Sequence, residues 1–201
     1  MKRAVDFYYD FGSPNAYLAH KVLPIITDRY NAQLICIPIL VGGIFKSTSN
    51  QPPIAAFGHV QGKVPYLQTE IVRFCERHKV PFQMNPHFPV RTVTLMRAAT
   101  YARGKPWEDA FVETCFDGLW QRGENLDDPA VLHQTLLTAQ LPADDIMNAT
   151  QDAEIKEELK RLTSQAVERG AFGTPTMFIG DEMFFGKDSL DDLDWRLSQS
   201  S

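Results

Sequence analysis

The sequence predicts an α/β fold in which one sheet is assembled from both ends of the chain and a long helical stretch is inserted between them. Three observations carry this expectation. The first 40 residues read as strand, helix and strand; the middle, from Gly42 to about Gly170, carries apolar residues at helical spacing; and the end returns to two short strands and a helix.

Val5, Phe7, Tyr9 and Phe11 point one way and Ala4, Asp6, Tyr8 and Asp10 the other. A period of two rich in aromatic residues is a strand pattern. Gly12-Ser13-Pro14 then supplies a turn, a capping hydroxyl and a proline suited to the first helical position. Ala16, Leu18, Ala19, Val22, Leu23 and Ile26 continue as a helix that Pro24 is expected to bend. The apolar run over residues 33–40 is a second strand, and a strand–helix–strand unit favours a parallel pair with a right-handed crossover.

In the middle, residues 64–78 and 91–103 have helical apolar spacing, and 106–121 follows with Pro106 near its start. Pro129 opens another helix behind Asp127 and Asp128, Leu141-Pro142 marks a further start, and a charged helix over 152–169 stops at Gly170. Asn85-Pro86-His87-Phe88-Pro89 is loop. Beyond it all, residues 176–179 and 182–185 flank Gly180-Asp181 as a hairpin, and Asp188 is expected to cap a last helix carrying Leu190, Leu193, Trp195 and Leu197.

A chain of 201 residues with 44% apolar and 22% charged residues suits one domain, or one domain interrupted by a second, and is not disordered. Its net charge of −5 gives no electrostatic reason for nucleic acid or anionic membranes as partners. The apolar stretch from Leu34 to Phe45 is broken by Pro38, Gly42 and Gly43 and is too short to span a bilayer. Asp6 and Asp10 interrupt any signal-peptide run after Lys2 and Arg3, so the expected location is cytoplasmic. Cys36, Cys75 and Cys115 lack CxxC spacing and read as buried, inert thiols. The five histidines have no metal-ligand spacing, no metal is expected, and neither a GxGxxG, a P-loop nor a GxSxG elbow is present.

Three places can carry chemistry. Ser13 lies where the first strand ends and a helix begins, so free N–H groups and the positive end of the dipole favour an anion there. Its hydroxyl can donate to a bound thiolate and lower that thiol's pKa, although an N-cap serine alone also accounts for it. In Phe172-Gly173-Thr174-Pro175-Thr176 a proline directly before a strand can be cis. That geometry turns the Thr174 backbone outward, its N–H and C=O free for an extended ligand, whereas an edge-strand proline has no such role. In Gly186-Lys187-Asp188-Ser189 a helix start flanked by a carboxylate and an ammonium can take both ends of an amino-acid group, or be an ordinary cap with Lys187 in solvent.

The order of these features resembles the thioredoxin fold of the DsbA type. Where the disulfide oxidoreductases of that fold carry CxxC, this chain has Ser13-Pro14-Asn15-Ala16, so dithiol exchange is excluded. More closely, the chain resembles the kappa-class glutathione transferases and the bacterial 2-hydroxychromene-2-carboxylate isomerases. The matching stretches are Phe7 to Pro14, Gly43-Ile44-Phe45-Lys46 leading to Asn50-Gln51-Pro52-Pro53, Gly170 to Pro175, and Phe185-Gly186-Lys187-Asp188.

The resemblance implies a thioredoxin-like fold with a large all-helical insertion: residues 1–42 plus 171–201 as the thioredoxin-like domain, 43–151 as the insertion, and about 152–170 as a connecting helix. It implies reduced glutathione as cofactor, with Ser13 facing its sulfur, Asn50 and Lys63 contacting or flanking its glycyl end, Thr174 before Pro175 pairing with its cysteinyl backbone, and Lys187 with Asp188 holding its γ-glutamyl group. Ser189 stands where family members often carry Arg, Lys187 replaces a small polar residue, and Gly12, often Leu in relatives, is expected to widen the pocket beside the sulfur. The implied activity is a glutathione-dependent isomerisation of aromatic or conjugated carbonyl compounds by reversible thiolate addition, in a homodimer. The alternatives are a kappa-like glutathione transferase or peroxidase acting on electrophiles, and a non-catalytic thioredoxin-like binding domain.

Overall fold

The computed structural model describes residues 3–199. β1 (Ala4–Tyr9) and β2 (Gln33–Pro38) pair in parallel, with Val5 opposite Leu34 and Phe7 opposite Cys36, and α1 (Pro14–Arg29) makes the crossover. On the other side of β1 lies β3 (Thr176–Ile179), antiparallel, followed by β4 (Glu182–Phe185) across a turn in which Gly180 has φ +59°. The sheet order is therefore β2-β1-β3-β4, with the oldest and the newest parts of the chain interleaved at its centre. An L-residue with a side chain rarely adopts the Gly180 backbone conformation, which is why the hairpin turn carries glycine there.

Both faces of β1 are covered. Val5, Phe7 and Tyr9 pack into a core with Leu18 and Leu23 of α1, Phe111 and Phe116 of α6 (Glu108–Trp120), and Leu193 and Leu197 of α10 (Leu190–Ser198). Tyr8 faces a second core with Ile44 of α2 (Val41–Thr48), Leu162 and Ala166 of α9 (Ala153–Glu168), and Phe178. Arg169, just after α9, closes that face. Its guanidinium bonds Asp6 at 2.7 Å, the Tyr8 hydroxyl at 2.9 Å and the Gly180 carbonyl at 2.7 Å while lying 3.9 Å from the Phe178 ring centre.

The helical middle starts with α2 and α3 (Pro53–Phe57), which the sequence pattern did not separate, and continues with α4 (Lys63–His78) and α5 (Val93–Ala102). α6 begins at Glu108, so Pro106 lies in the turn ahead of it rather than in the helix. α7 (Pro129–Thr138) opens at Pro129 as expected, with Asp128 as its cap accepting from the Ala130 N–H at 2.8 Å; Asp152, expected inside the charged helix, is instead the cap of α9 and accepts from the Glu154 N–H at 2.7 Å. Between them lies α8 (Ala143–Ala149). α1 runs through Pro24 to Arg29. At the chain's end the cap differs from the expectation. Asp188 sits inside a single 3₁₀ turn (Lys187–Ser189), the N-cap of α10 is Ser189, and the Ser189 hydroxyl turns back to the Gly186 carbonyl at 2.9 Å. Asp194 on α10 pairs with Arg29 at the end of α1 through both of its oxygens at 2.8 Å.

No helix among the described residues is long and apolar enough to cross a membrane. Trp120, fully buried, helps join the inserted helices to the segment after β1: it donates its indole N–H to the Phe11 carbonyl at 2.8 Å and stacks with Phe82. Replacing it with phenylalanine leaves that carbonyl unpaired and a void beside it. Trp120→Phe should lower unfolding stability by about 2–3 kcal/mol, read from the urea midpoint.

Candidate active site

Ser13 is the N-cap of α1, with extended backbone at φ −97° and ψ 112°. Its Oγ accepts from the Ala16 N–H at 3.2 Å and donates to the Thr174 carbonyl, also at 3.2 Å. Pro14 has no N–H to offer, and the Ala16 and Tyr17 amides are taken by Ser13. Among the described residues this leaves the Asn15 N–H as the free amide of the first turn. Sulfur bound at this end of α1 would meet two donors, the Ser13 hydroxyl and the Asn15 N–H.

The turn that places Ser13 is built on Asp10, which sequence reasoning treated only as an interruption of the apolar run. Asp10 has no exposed surface, and three donors converge on its carboxylate. The Gly12 N–H reaches Oδ1 at 2.9 Å, the Thr92 hydroxyl reaches Oδ1 at 2.7 Å, and the Val41 N–H reaches Oδ2 at 2.9 Å. Burial raises the Asp10 pKa, and the three hydrogen bonds, that of Thr92 first, pull it back down. The Asp10 carbonyl in turn accepts from the Ser13 N–H at 3.0 Å. The legible signal for this role was an aspartate two residues before a glycine at a strand end, the pattern of an Asx turn.

Gly12 does not widen the site. A Cβ there would stand 3.2 Å from Thr92 Cγ2 and 3.4 Å from Asp10 Oδ1, so the space is already filled by the residues that hold the turn.

The opposite wall is the loop before β3. The Thr174–Pro175 peptide is cis. Among the described residues the Thr174 N–H has no hydrogen-bond partner, as the sequence led us to expect, but its carbonyl is not free because Ser13 occupies it. Two further bonds fix the loop: Asn50 donates from Nδ2 to the Phe172 carbonyl at 2.7 Å, and the Pro175 carbonyl accepts from the Gly186 N–H at 2.9 Å. Gly173 lets the Phe185 ring approach, since a Cβ would lie 3.0 Å from it.

Ser13, Asn50, Thr174, Pro175 and the 186–188 turn are thus brought together by a chain of direct bonds. Lys63 is not part of that chain. It begins α4 with its ammonium 5.6 Å from the Phe57 ring centre. Lys187 is also placed differently from a solvated cap residue. It is 4% exposed, its ammonium pairs with the Asp188 carboxylate, and it lies 5.5 Å from the Phe74 ring centre. Of that pair, Asp188 is the side chain that solvent and ligand can reach.

Two surface clefts lie elsewhere and contain none of these residues. One, of about 710 Å³, runs between α6 and α7 past Glu113, Asp117, Arg122 and Glu124; the other, of about 460 Å³, lies between β2 at Cys36 and the end of α5 at Arg103. No group of His, Cys, Asp and Glu among the described residues could hold a metal ion. Burial raises all three cysteine thiols, that of Cys36 to about 12, which keeps them protonated.

The model for the DSBA-like thioredoxin domain matches residues 4–198. The chain belongs to that family. Within it, the chain is 30% identical to a 2-hydroxychromene-2-carboxylate isomerase of Pseudomonas sp. (strain C18), over 92% of this chain and 86% of that one. It is 28% identical to glutathione S-transferase kappa 1 of Rattus norvegicus, over 98% and 92% respectively. A solved structure of a 2-hydroxychromene-2-carboxylate isomerase has the same fold, with a TM-score of 0.86 over 98% of this chain and 95% of that one at 24% identity. These relatives within the family are enzymes, isomerases in one case and transferases in the other.

Substitution of Asp10 tests the turn. Asp10→Asn sets an amide donor against backbone N–H donors in a site without water access, and should cost about 2–3 kcal/mol of stability, measured by urea unfolding.

Proposed function

We propose that this protein is a glutathione-dependent isomerase of the 2-hydroxychromene-2-carboxylate type, acting on aromatic or conjugated carbonyl compounds. The observation that carries the reading is the Ser13–Thr174 pair, a hydroxyl at a helix start facing the backbone of a cis-proline loop. Reduced glutathione fits the groups present. The free Thr174 N–H suits a peptide carbonyl, the exposed Asp188 carboxylate suits an ammonium, and the Ser13 hydroxyl with the Asn15 N–H suits a thiolate. When bound, glutathione supplies a thiol nucleophile able to add reversibly to a conjugated carbon.

The chain's own part is to hold charge and position. An extended ligand pairing with Thr174 uses both its N–H and its carbonyl. Taking the carbonyl displaces the Ser13 proton, which is then free to turn about the Cβ–Oγ bond toward the sulfur. Binding the peptide part and arming the serine are therefore one exchange of hydrogen bonds. A free thiol near pKa 8.5 is mostly protonated at pH 7, and lowering it by about two units makes it mostly thiolate. Asn50 holds the loop against which the ligand backbone lies, and on this reading Asn50 and Lys63 contact or flank the glycyl end. Asp188, with Lys187 setting its position from beneath, takes the γ-glutamyl amine. Residues 1–42 and 171–201 would then hold the cysteinyl and γ-glutamyl parts of glutathione, and the inserted stretch 43–151 would supply its glycyl end and the roof over the second substrate. The same reading makes the enzyme cytoplasmic and homodimeric.

The similarity to a kappa-class transferase over nearly the whole chain supports a second reading, transfer of glutathione to an electrophile. Net consumption of glutathione separates the two, because an isomerase returns it at every turnover.

The first experiment is a calorimetric titration with reduced glutathione, for which saturation at one site per chain is expected. Absence of binding at millimolar glutathione removes both enzyme readings. In the complex, titration of thiolate absorbance near 240 nm should give a thiol pKa well below the free value. Ser13→Ala should raise it by about 1–2 pH units, the worth of one hydrogen bond to a charged acceptor. An unchanged thiol pKa would take Ser13 out of the chemistry.

A further inference from the structure

Lys187 is a buried cation at the end of the candidate site assigned to the γ-glutamyl group. Gly186, with φ +80°, turns the chain out of β4, and the 3₁₀ turn that follows carries Lys187 inward. Its side chain is buried, whereas that of Asp188 is 73% exposed. The ammonium lies 5.5 Å from the Phe74 ring centre and bonds Asp188 Oδ1. Among the described residues Asp188 is the one carboxylate it pairs with; Asp191, the next acid along the chain, faces Arg77 at 3.9 Å instead.

Lysine is almost never fully buried unless it is paired, and a buried pair that loses one partner leaves an uncompensated charge. Lys187 therefore cannot release Asp188 when a ligand arrives. The carboxylate has a second oxygen, and an incoming amine must take that one and share the negative charge. Such an amine meets an ion pair with no net charge rather than a lone carboxylate. Its attraction to the near oxygen is offset by repulsion from the ammonium behind it, because both act over short distances.

Resting on the glutathione-dependent reading above, we propose that Lys187 is a specificity-determining residue that makes the site indifferent to the free amine of its thiol cofactor. The amine still fits against Asp188, but the contact adds little affinity. The site thereby takes thiol peptides whose acidic head lacks the amine alongside glutathione itself. A lone carboxylate at position 188 would select for the amine, since an amine-free ligand would leave its charge unpaired in the complex.

The test compares reduced glutathione with glutaryl-cysteinylglycine, which is glutathione without its amine, by calorimetric titration of the full chain. Both probes carry the same thiol, so their ratio reads the amine alone. The wild-type chain should bind the two within about threefold of each other. Lys187→Met fills the space beside Phe74 without the charge and should raise the preference for glutathione about tenfold over wild type, the worth of one hydrogen bond to a charged group. Thermal unfolding checks the pair without any ligand. Asp188→Asn should lower the melting temperature by several degrees by stranding the buried ammonium, and Lys187→Met/Asp188→Asn should restore it. A wild-type preference for glutathione above threefold overturns the inference. So does a ratio that does not rise in Lys187→Met or, should that variant fail to fold, a melting temperature that Asp188→Asn leaves in place. In all of these outcomes glutathione still binds. A wild-type chain that binds neither probe overturns the glutathione-dependent reading itself, and this inference with it.

Discussion

The site depends on one buried carboxylate. Asp10 directly follows β1 and gathers the Gly12 N–H just ahead of α1, the Val41 N–H at the start of α2 and the hydroxyl of Thr92, the N-cap of α5. Neither Leu40 nor Thr92 makes a side-chain cap to its own helix, so Asp10 supplies from the sheet what α2 lacks and uses the hydroxyl that α5 would otherwise keep. Three helix starts, each with the positive end of its dipole, are drawn to a single point of negative charge. Two of these helices belong to the inserted stretch and one to the βαβ unit, so the same interaction that shapes the Ser13 turn also fixes where the insertion sits relative to it.

From this point the rest of the site follows by reach. With the start of α1 fixed, Ser13 touches Thr174 across the gap between β1 and β3. The loop it touches is held from the far side by Asn50, at the end of the segment that α2 begins, and by the Gly186 N–H at the end of β4. Four sequence-distant segments meet on about six hydrogen bonds, most of which go to backbone atoms. Such a site tolerates wide change in side chains as long as the backbone course survives. This suits a family in which a CxxC dithiol in some members is replaced here by Ser13-Pro14-Asn15-Ala16.

Much of this was legible in the sequence where the signal was local. The βαβ start, the final hairpin, the cap at Ser13 and the opening of α7 at Pro129 each rest on a few adjacent residues, and the structure has them at those positions. What was not legible depends on distant partners. The Asp10 carboxylate looks solvated in an alternating strand until Thr92 and Val41 are known to lie against it. Lys187 reads as a surface cap residue until Phe74 of α4 is placed beneath it. Asp188 follows the capping pattern, yet a 3₁₀ turn intervenes and the cap shifts by one residue to Ser189. Gly12 looks like spare room only when Thr92 is absent from view. Each of these readings turns on a contact across about 30 or more residues, or on a one-residue shift that local pattern does not decide.

The chain also determines where a sulfur nucleophile can come from. Its three thiols are held back by burial: Cys36 in a strand, Cys75 on α4 and Cys115 in the α6 core all have raised pKa values. None is at the start of a helix or beside the Thr174–Pro175 loop, where the Ser13 hydroxyl and a free amide stand together. The electrostatics that would favour a thiolate and the thiols themselves have been separated in space. A helix start that favours anions, with serine in it and no cysteine near it, can act on sulfur only if the sulfur arrives on a ligand. The free Thr174 N–H then gives that ligand a backbone to pair with, which makes a small peptide thiol a better fit than a simple one.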